Sequence, residues 1–286
     1  MAAVLIPLGL VILMLAVGLE TRLDAFRALA RAPRAVAVGL ILEVAGLPLV
    51  AAAVAQLFGL APVHAVGLVL VAAAPAGVTS NFVTLMAGGD VACSVVLTVA
   101  TSAIAPLVVP LALAAAFAVF ADESVRVVLP FGPTFGAVAL TTVAPLALAA
   151  IFAHRRPDAA DRLRPFARRV SMVVFLAIVA AAIVAQGWAL LPAIRDVGPA
   201  ALAFDLAGLA LFVAVARGAR IDRVRLSALV MTGGLRNVAV ALTVAVALLA
   251  RPEVGAAATV YVVVMNAVAL TWVAIVRRLP EIKDAR

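Results

Sequence analysis

Two long apolar stretches of this chain are interrupted near their centres by short polar segments that carry glycine. One reads Pro75-Ala76-Gly77-Val78-Thr79-Ser80-Asn81 and the other Thr232-Gly233-Gly234-Leu235-Arg236-Asn237. A helix broken inside a bilayer leaves N–H and C=O groups that lipid cannot satisfy. Such a break survives only where protein buries it or where it borders a cavity. A matching pair of breaks in the two halves of a chain points to the substrate and ion site of a secondary transporter.

The bilayer itself follows from composition. The chain has 286 residues, 67% of them hydrophobic, with a mean hydropathy of +1.25, against roughly 45–50% apolar residues in soluble domains. This predicts an all-α polytopic membrane protein. With about 20 apolar residues needed per crossing, nine transmembrane helices are expected, near 2–19, 34–57, 62–87, 90–120, 132–153, 170–191, 197–217, 224–250 and 253–276. Pro106 and Pro110 are expected to kink the fourth. The longest connection, around His154 to Arg169, is too short for a separate domain, so residues 1–286 read as one transmembrane domain. No Lys or Arg precedes the first apolar run, which therefore reads as a first span and not as a signal peptide.

Charge orients the spans. Arg22, Arg27, Arg31 and Arg34 fall in one loop, and Arg155, Arg156, Arg162, Arg164, Arg168 and Arg169 in another. Arg217, Arg220, Arg223 and Arg225 fall in a third, and Arg277, Arg278, Lys283 and Arg286 in the C-terminal tail. All lie on one side of a nine-span arrangement, facing only Arg126, Arg195 and Arg251 on the other. By the positive-inside rule the N-terminus is outside and the C-terminus cytoplasmic, in a plasma or inner membrane. The net charge of +8 is then loop charge at a lipid surface and gives no reason to expect nucleic acid. One cysteine, Cys93, and two distant histidines, His64 and His154, leave no disulfide and no metal motif.

The halves also echo one another. Glu43-Val44-Ala45-Gly46-Leu47 in the second span matches Asp205-Leu206-Ala207-Gly208-Leu209 in the seventh. Each is followed by a broken span and then an unbroken one. An odd number of spans separates the copies, so they run in opposite senses across the membrane, as in transporters built from inverted repeats. Residues 1–121 form the expected first repeat, lacking one helix, and 122–286 the second.

Ionisable residues inside spans are Glu43, Asp205 and Arg236, each costing about 2.5–3.5 kcal/mol or more at the bilayer centre. Arg236 needs a counter-ion or carbonyls, and Glu43 is the leading partner if the repeats interlock. The bland alternative is an ion pair that only fixes helix packing. Thr79, Ser80 and Asn81 in the first break, with Ser94, Thr98 and Thr101 on one face of the next helix, form a set of neutral oxygens suited to Na⁺. Hydroxyls bonded to their own i−4 carbonyls are the alternative for Ser94 and Thr98. Asn266 is expected to line the cavity. Asp90 is expected to cap the fourth span.

These segments resemble the bile acid:sodium symporter family. The resemblance rests on Pro75 to Asn81, on Gly89-Asp90-Val91-Ala92 with Ser94 and Thr98, on the Pro106/Pro110 span, and on Gly234-Leu235-Arg236-Asn237. In the last of these the family usually has glycine-Met-Gln-Asn. The resemblance implies a nine-span member whose chain begins at the second span of ten-span relatives, with a panel of spans one, five and six and a core in which the two broken helices cross. It implies a first sodium site at Ser80, Asn81, Ser94 and Thr98. The glutamate that serves both family sites is replaced by Thr232, the crossover glutamine by Arg236, and a further glutamine by Glu43. The guanidinium then stands where a second Na⁺ would lie, with Glu43 as its counter-ion.

The expected function is alternating-access transport of a small organic anion, not catalysis, with at most one Na⁺ site retained. Substrate contacts are expected from Thr79, Asn237, Asn266 and Arg236. Ion contacts are expected from Ser80, Asn81, Ser94, Thr98 and Thr232, and coupling from Glu43, Arg236 and Asp205. Na⁺ or H⁺ is the coupling ion, with no other cofactor, and the bilayer is the main partner. A Glu43 held by arginine makes a poor proton carrier, whereas Asp205, with no cation in sight, makes a better one. Proton-coupled or uncoupled carriage, and a ligand-binding protein that does not transport, are the alternatives. An integral-membrane enzyme would need a cluster of His, Asp or Glu at an interface. A channel would favour polar rings over paired midplane breaks.

Overall fold

The computed structural model describes residues 2–21, 33–120 and 131–278. Arg22, Arg27, Arg31, Arg126, Lys283 and Arg286 of the orientation argument lie outside the described residues, as does the junction at 121/122. The described chain is helical throughout. Its segments are α1 (Ala2–Glu20), α2 (Pro33–Leu57), α3 (Pro62–Ala73), α4 (Thr79–Met86), α5 (Val91–Phe120), α6 (Phe131–Arg155), α7 (Pro157–Gln186), α8 (Leu190–Gly218), α9 (Arg223–Gly234), α10 (Val238–Leu248) and α11 (Gly255–Val276). Among the described residues there is no sheet, only one isolated antiparallel bridge between Ala76 and Arg236.

Five helical stretches are long and apolar enough to cross a bilayer: Pro33–Leu57, Val91–Phe120, Phe131–Arg155, Pro157–Gly218 and Gly255–Val276. Shorter apolar pieces lie in α1, α3 and α10. Large apolar side chains such as Leu49, Leu57, Val173, Val184 and Val263 face outward. Water would penalise that surface and lipid does not. This is a polytopic helical membrane protein. Trp188, 87% exposed at the turn between α7 and α8, has the amphipathic ring that collects at the edge of a bilayer.

The stretch from His154 to Arg169 is not the open connection that its charge predicts. Arg156 alone breaks the helix, at φ −135° and ψ 64°, and α7 starts at Pro157, whose fixed φ suits a first helical turn. At 30 residues α7 runs about 45 Å, well past a hydrocarbon core of about 30 Å. Its basic first half therefore projects as helix. Arg164 reaches back to donate from Nε to the Leu19 carbonyl at 2.9 Å. α5 passes through Pro106 and Pro110 as one helix.

Prolines shape two other helices. In α2 and α6 the backbone widens to a π turn, at Leu42–Gly46 and Ala139–Val143, two residues before Pro48 and Pro145. A proline offers no N–H to the carbonyl four residues back. The wider turn instead closes i+5 bonds, from Leu47 N to Leu42 O and from Ala144 N to Ala139 O. The first π turn carries Glu43, and such turns often sit at functional positions.

Helices α1, α6 and α7 pack mainly on one another, while α2 to α5 and α8 to α11 form the other, larger group. The groups meet where α1 packs on α10 and where α6 packs on α5. Small residues set the closest approaches, as expected where lipid supplies no hydrophobic drive between helices. A Cβ on Gly67 of α3 would run into the Val254 carbonyl oxygen and stand 3.0 Å from the Ala257 Cβ. Gly132, in contrast, faces open space. Gly67→Val is therefore expected to cost about 1–3 kcal/mol through overpacking, and Gly132→Ala less than about 1 kcal/mol. Thermal unfolding of the two variants in detergent checks this, and equal midpoints would contradict the packing described.

Candidate functional site

The two breaks satisfy each other. Pro75 ends α3 because the residue before a proline is driven to extended backbone, and Ala74 duly sits at φ −59° and ψ 147°. Across the gap the Gly77 N–H donates to the Leu235 carbonyl at 2.7 Å, and the Asn237 N–H to the Pro75 carbonyl at 2.8 Å. The Ala76 N–H donates to Thr101 Oγ1 at 3.2 Å, and that hydroxyl donates onward to Leu97 O at 2.7 Å. Each unwound segment is thus a short extended strand whose partner is the other. This approach favours glycine at 77, since a Cβ there would lie 3.1 Å from the carbonyl oxygens of both Leu235 and Arg236 and press the two breaks apart.

Arg236 projects from this crossing into a cage of oxygens. Nη1 donates to Glu43 Oε2 at 2.9 Å and to the Thr232 carbonyl at 3.3 Å. Nη2 donates to the Ala72 carbonyl at 3.2 Å and also to the Ala74 carbonyl. The cage therefore comprises carbonyls freed at the C-terminal ends of α3 and α9 and one carboxylate from the π turn of α2. Both charged side chains are sealed, with relative exposures of 1% and 0%. Carbonyl ends of helices carry partial negative charge, so the guanidinium is held by two half-helix ends as well as by Glu43.

The neutral-oxygen set lies nearby on α4 and α5. Ser94 Oγ donates to Asn81 Oδ1 at 2.7 Å, and Thr98 Oγ1 lies 3.3 Å from the same atom. Ser80 Oγ is 3.5 Å from Thr98 Oγ1. Thr98 also donates to its own helix at Ser94 O, 2.9 Å, but Ser94 does not take the self-bonded alternative. Thr84 Oγ1, 3.3 Å from Ser94 Oγ, joins the cluster unforeseen. Its position one turn beyond Ser80 and Asn81 on α4 was the available signal. All five side chains are buried.

A cavity of about 360 Å³ opens between the two helix groups. Gly77, Thr79, Asn81, Arg236 and Asn237 line one wall, and Leu13, Glu20, Arg168, Ser171 and Phe175 of α1 and α7 the other. Arg168 pairs with Glu20. Neither was singled out from sequence, because both lie in the charged stretches ascribed to membrane-surface loops. The N-terminal residues of α4 and α10 border this space. Asn237 caps α10, its Oδ1 accepting from Val240 N at 3.4 Å, while Nδ2 is buried without a partner.

Three residues lie elsewhere. Asn266, expected at the cavity, donates to the Val262 carbonyl of its own helix at 2.7 Å, and its neighbour Met265 takes the lining position. An amide one turn above a carbonyl satisfies itself at no cost in chain geometry. The Thr232 hydroxyl turns to Ala228 O and Leu229 O, at 3.0 and 3.1 Å, and not to the Ser80 cluster. Asp205 bonds Tyr261 Oη at 2.9 Å and stays apart from Arg236. Asp90 caps α5, accepting from Cys93 N at 3.0 Å.

Because Asn81 Oδ1 accepts the buried Ser94 hydroxyl at 2.7 Å, Asn81→Ala is expected to leave that hydroxyl unsatisfied and to cost about 1–3 kcal/mol. Asn266→Ala removes a bond within one helix and is expected to cost less than about 1 kcal/mol. The order of their thermal midpoints in Na⁺-free detergent tests the arrangement, and a milder effect at Asn81 would contradict it.

Parts of the chain are similar to known proteins. The profile of the Sodium Bile acid symporter family matches residues 7–192. A segment of 103 residues, 36% of the chain, is 40% identical to the probable sodium/metabolite cotransporter BASS1, chloroplastic, of Arabidopsis thaliana, covering 26% of that protein. A segment of 106 residues, 37% of the chain, is 39% identical to the uncharacterized sodium-dependent transporter YocS of Bacillus subtilis, covering 33% of it. The matches thus span about a quarter to a third of these relatives' length. A longer match, 231 residues at 23% identity, covers 80% of the chain and 65% of the ileal sodium/bile acid cotransporter of Oryctolagus cuniculus. With the family profile matched over more than half its length, the chain belongs to the sodium bile acid symporter family.

Proposed function

We propose that this protein is a secondary transporter of a small organic anion, working by alternating access across nine spans arranged as two inverted repeats, with at most one Na⁺ as co-substrate. The observation that carries this reading is the cage around Arg236. Its oxygens come from the opened ends of α3 and α9 and from Glu43, a donor set of the kind that holds a hard cation. Here the chain's own guanidinium fills it. The Ser80, Asn81, Ser94 and Thr98 oxygens remain for one Na⁺. They are uncharged, compact and within bonding distance of one another.

Substrate chemistry follows from the cavity. The N-terminal ends of α4 and α10 border it, and N–H groups at helix N-termini attract anions. Arg168, paired with Glu20, faces the cavity from α7, while the Arg236 guanidinium is sealed in its cage. A volume of about 360 Å³ sits near the lower end of small-molecule sites, about 300–1,000 Å³, which favours a short-chain metabolite acid over a steroid conjugate. The division into a group of α1, α6 and α7 and a larger group supports rocking of one against the other, with basic loops on the cytoplasmic side.

A thermal-shift screen of the purified chain against small carboxylic acids, with and without Na⁺, identifies the ligand class through the stabilisation that binding confers. The hit, radiolabelled, is then offered to proteoliposomes preloaded with unlabelled compound. Transient accumulation above equilibrium by counterflow is expected. Binding without counterflow would reduce the protein to a ligand-binding member, and equilibration without overshoot would mark a channel.

A further inference from the structure

Behind the crossing, on the side of α8, lies a polar group that neither the sodium cluster nor the Arg236 cage uses. Tyr261 Oη of α11 stands 2.7 Å from the Gly234 carbonyl and 2.9 Å from Asp205 Oδ1. The carbonyl can only accept, and a phenol has one proton to give. If that proton goes to Gly234, Asp205 must itself donate to the phenol oxygen. If it goes to an ionised Asp205, two oxygens without a hydrogen between them face each other at 2.7 Å. Only a carboxylic acid at Asp205 supplies a hydrogen for both contacts, in the order Asp205 O–H to Tyr261 O–H to Gly234 C=O.

The rest of the environment agrees. Asp205 is 3% exposed and Tyr261 fully buried. Asp205 Oδ2 is buried with no hydrogen-bond partner, which is tolerable for the carbonyl oxygen of an acid and costly for half of a carboxylate. The helices packed on α8 are α2, α9 and α11. From α11 the facing group is Tyr261. From α2 it is Glu43, already bonded to Arg236. From α9, Arg223 and Arg225 sit nine or more residues from Gly234, about 13 Å along the helix. On α8 itself Arg195, Asp196 and Arg217 are at least nine residues away. No cation bonds Asp205 among the described residues.

We propose that Asp205 is a proton-binding site, and that the bound proton, relayed through Tyr261, fixes the end of α9 at the second break. Gly234 is the last residue of α9 and stands two residues before Arg236. Its backbone passes close to the acid, since a Cβ there would lie 3.2 Å from Asp205 Oδ1. When Asp205 gives its proton to water, the Tyr261 hydroxyl turns to the new carboxylate and the Gly234 carbonyl loses its donor. Protonation thereby sets how firmly the crossing is held, and links the conformation of the break to pH. The site requires neither the anion nor the Na⁺ assignment above, because it is defined by Asp205, Tyr261 and Gly234 alone.

Infrared difference spectroscopy of the purified full chain in lipid, without substrate or Na⁺, reads this directly. At neutral pH the wild type is expected to show the C=O stretch of a buried carboxylic acid, shifted in D₂O and lost in Asp205→Asn. In Tyr261→Phe the acid loses its acceptor, and the band is expected to move to higher frequency. That second variant keeps the test valid if Asp205→Asn does not fold. Spectra of wild type and Asp205→Asn that are identical in this region, or a Tyr261→Phe band that does not move, would overturn the proposal.

Discussion

The structure turns on one interaction: two interrupted helices donate to and accept from each other's open backbone. Gly77 N–H to Leu235 O and Asn237 N–H to Pro75 O replace what each helix gave up by breaking. In a membrane those four groups have no other partner. The crossing fixes the ends of four half-helices within one small region. Helix C-termini, with their partial negative charge, gather around Arg236, and N-termini gather at the cavity. Charge is thereby sorted to two sides of a single backbone crossing.

Arg236 is the chain's own answer to a concentration of carbonyl oxygens. Gathering these acceptors in low dielectric demands a cation. An arginine that contacts the carbonyls of Ala72, Ala74 and Thr232 and the Glu43 carboxylate meets that demand permanently. Such a pair brings little net stability after both ions are desolvated, but loss of either partner strands a buried charge at about 3–5 kcal/mol. A permanent cation also cannot be exchanged.

Much of this was legible in the sequence, for identifiable reasons. Pro75 and the glycines at 77, 233 and 234 can only mean interrupted helices in so apolar a chain. A buried arginine forces a partner, and Glu43 was the available carboxylate at the matching depth. Ser80, Asn81, Ser94 and Thr98 fall at helical spacings that bring them together. Other features were hidden. The helical start of α7 reads as a loop because its arginines dominate hydropathy, although Pro157 marks a first turn. Tyr261 carries no motif, and its partnership with Asp205 depends on the packing of α8 on α11. Asn266 and Thr232 have polar side chains that can be satisfied within their own helices, and spacing alone does not say which way they turn.

The guanidinium of Arg236 is proposed to stand where a second sodium ion would lie. Equilibrium binding of ²²Na⁺ to the purified chain measures this most directly, alongside the variant Thr232→Glu, Glu43→Gln, Arg236→Gln that removes the built-in cation and supplies a carboxylate. No more than one saturable Na⁺ is expected per wild-type chain, and one more in the variant. Two Na⁺ bound by the wild type would contradict it.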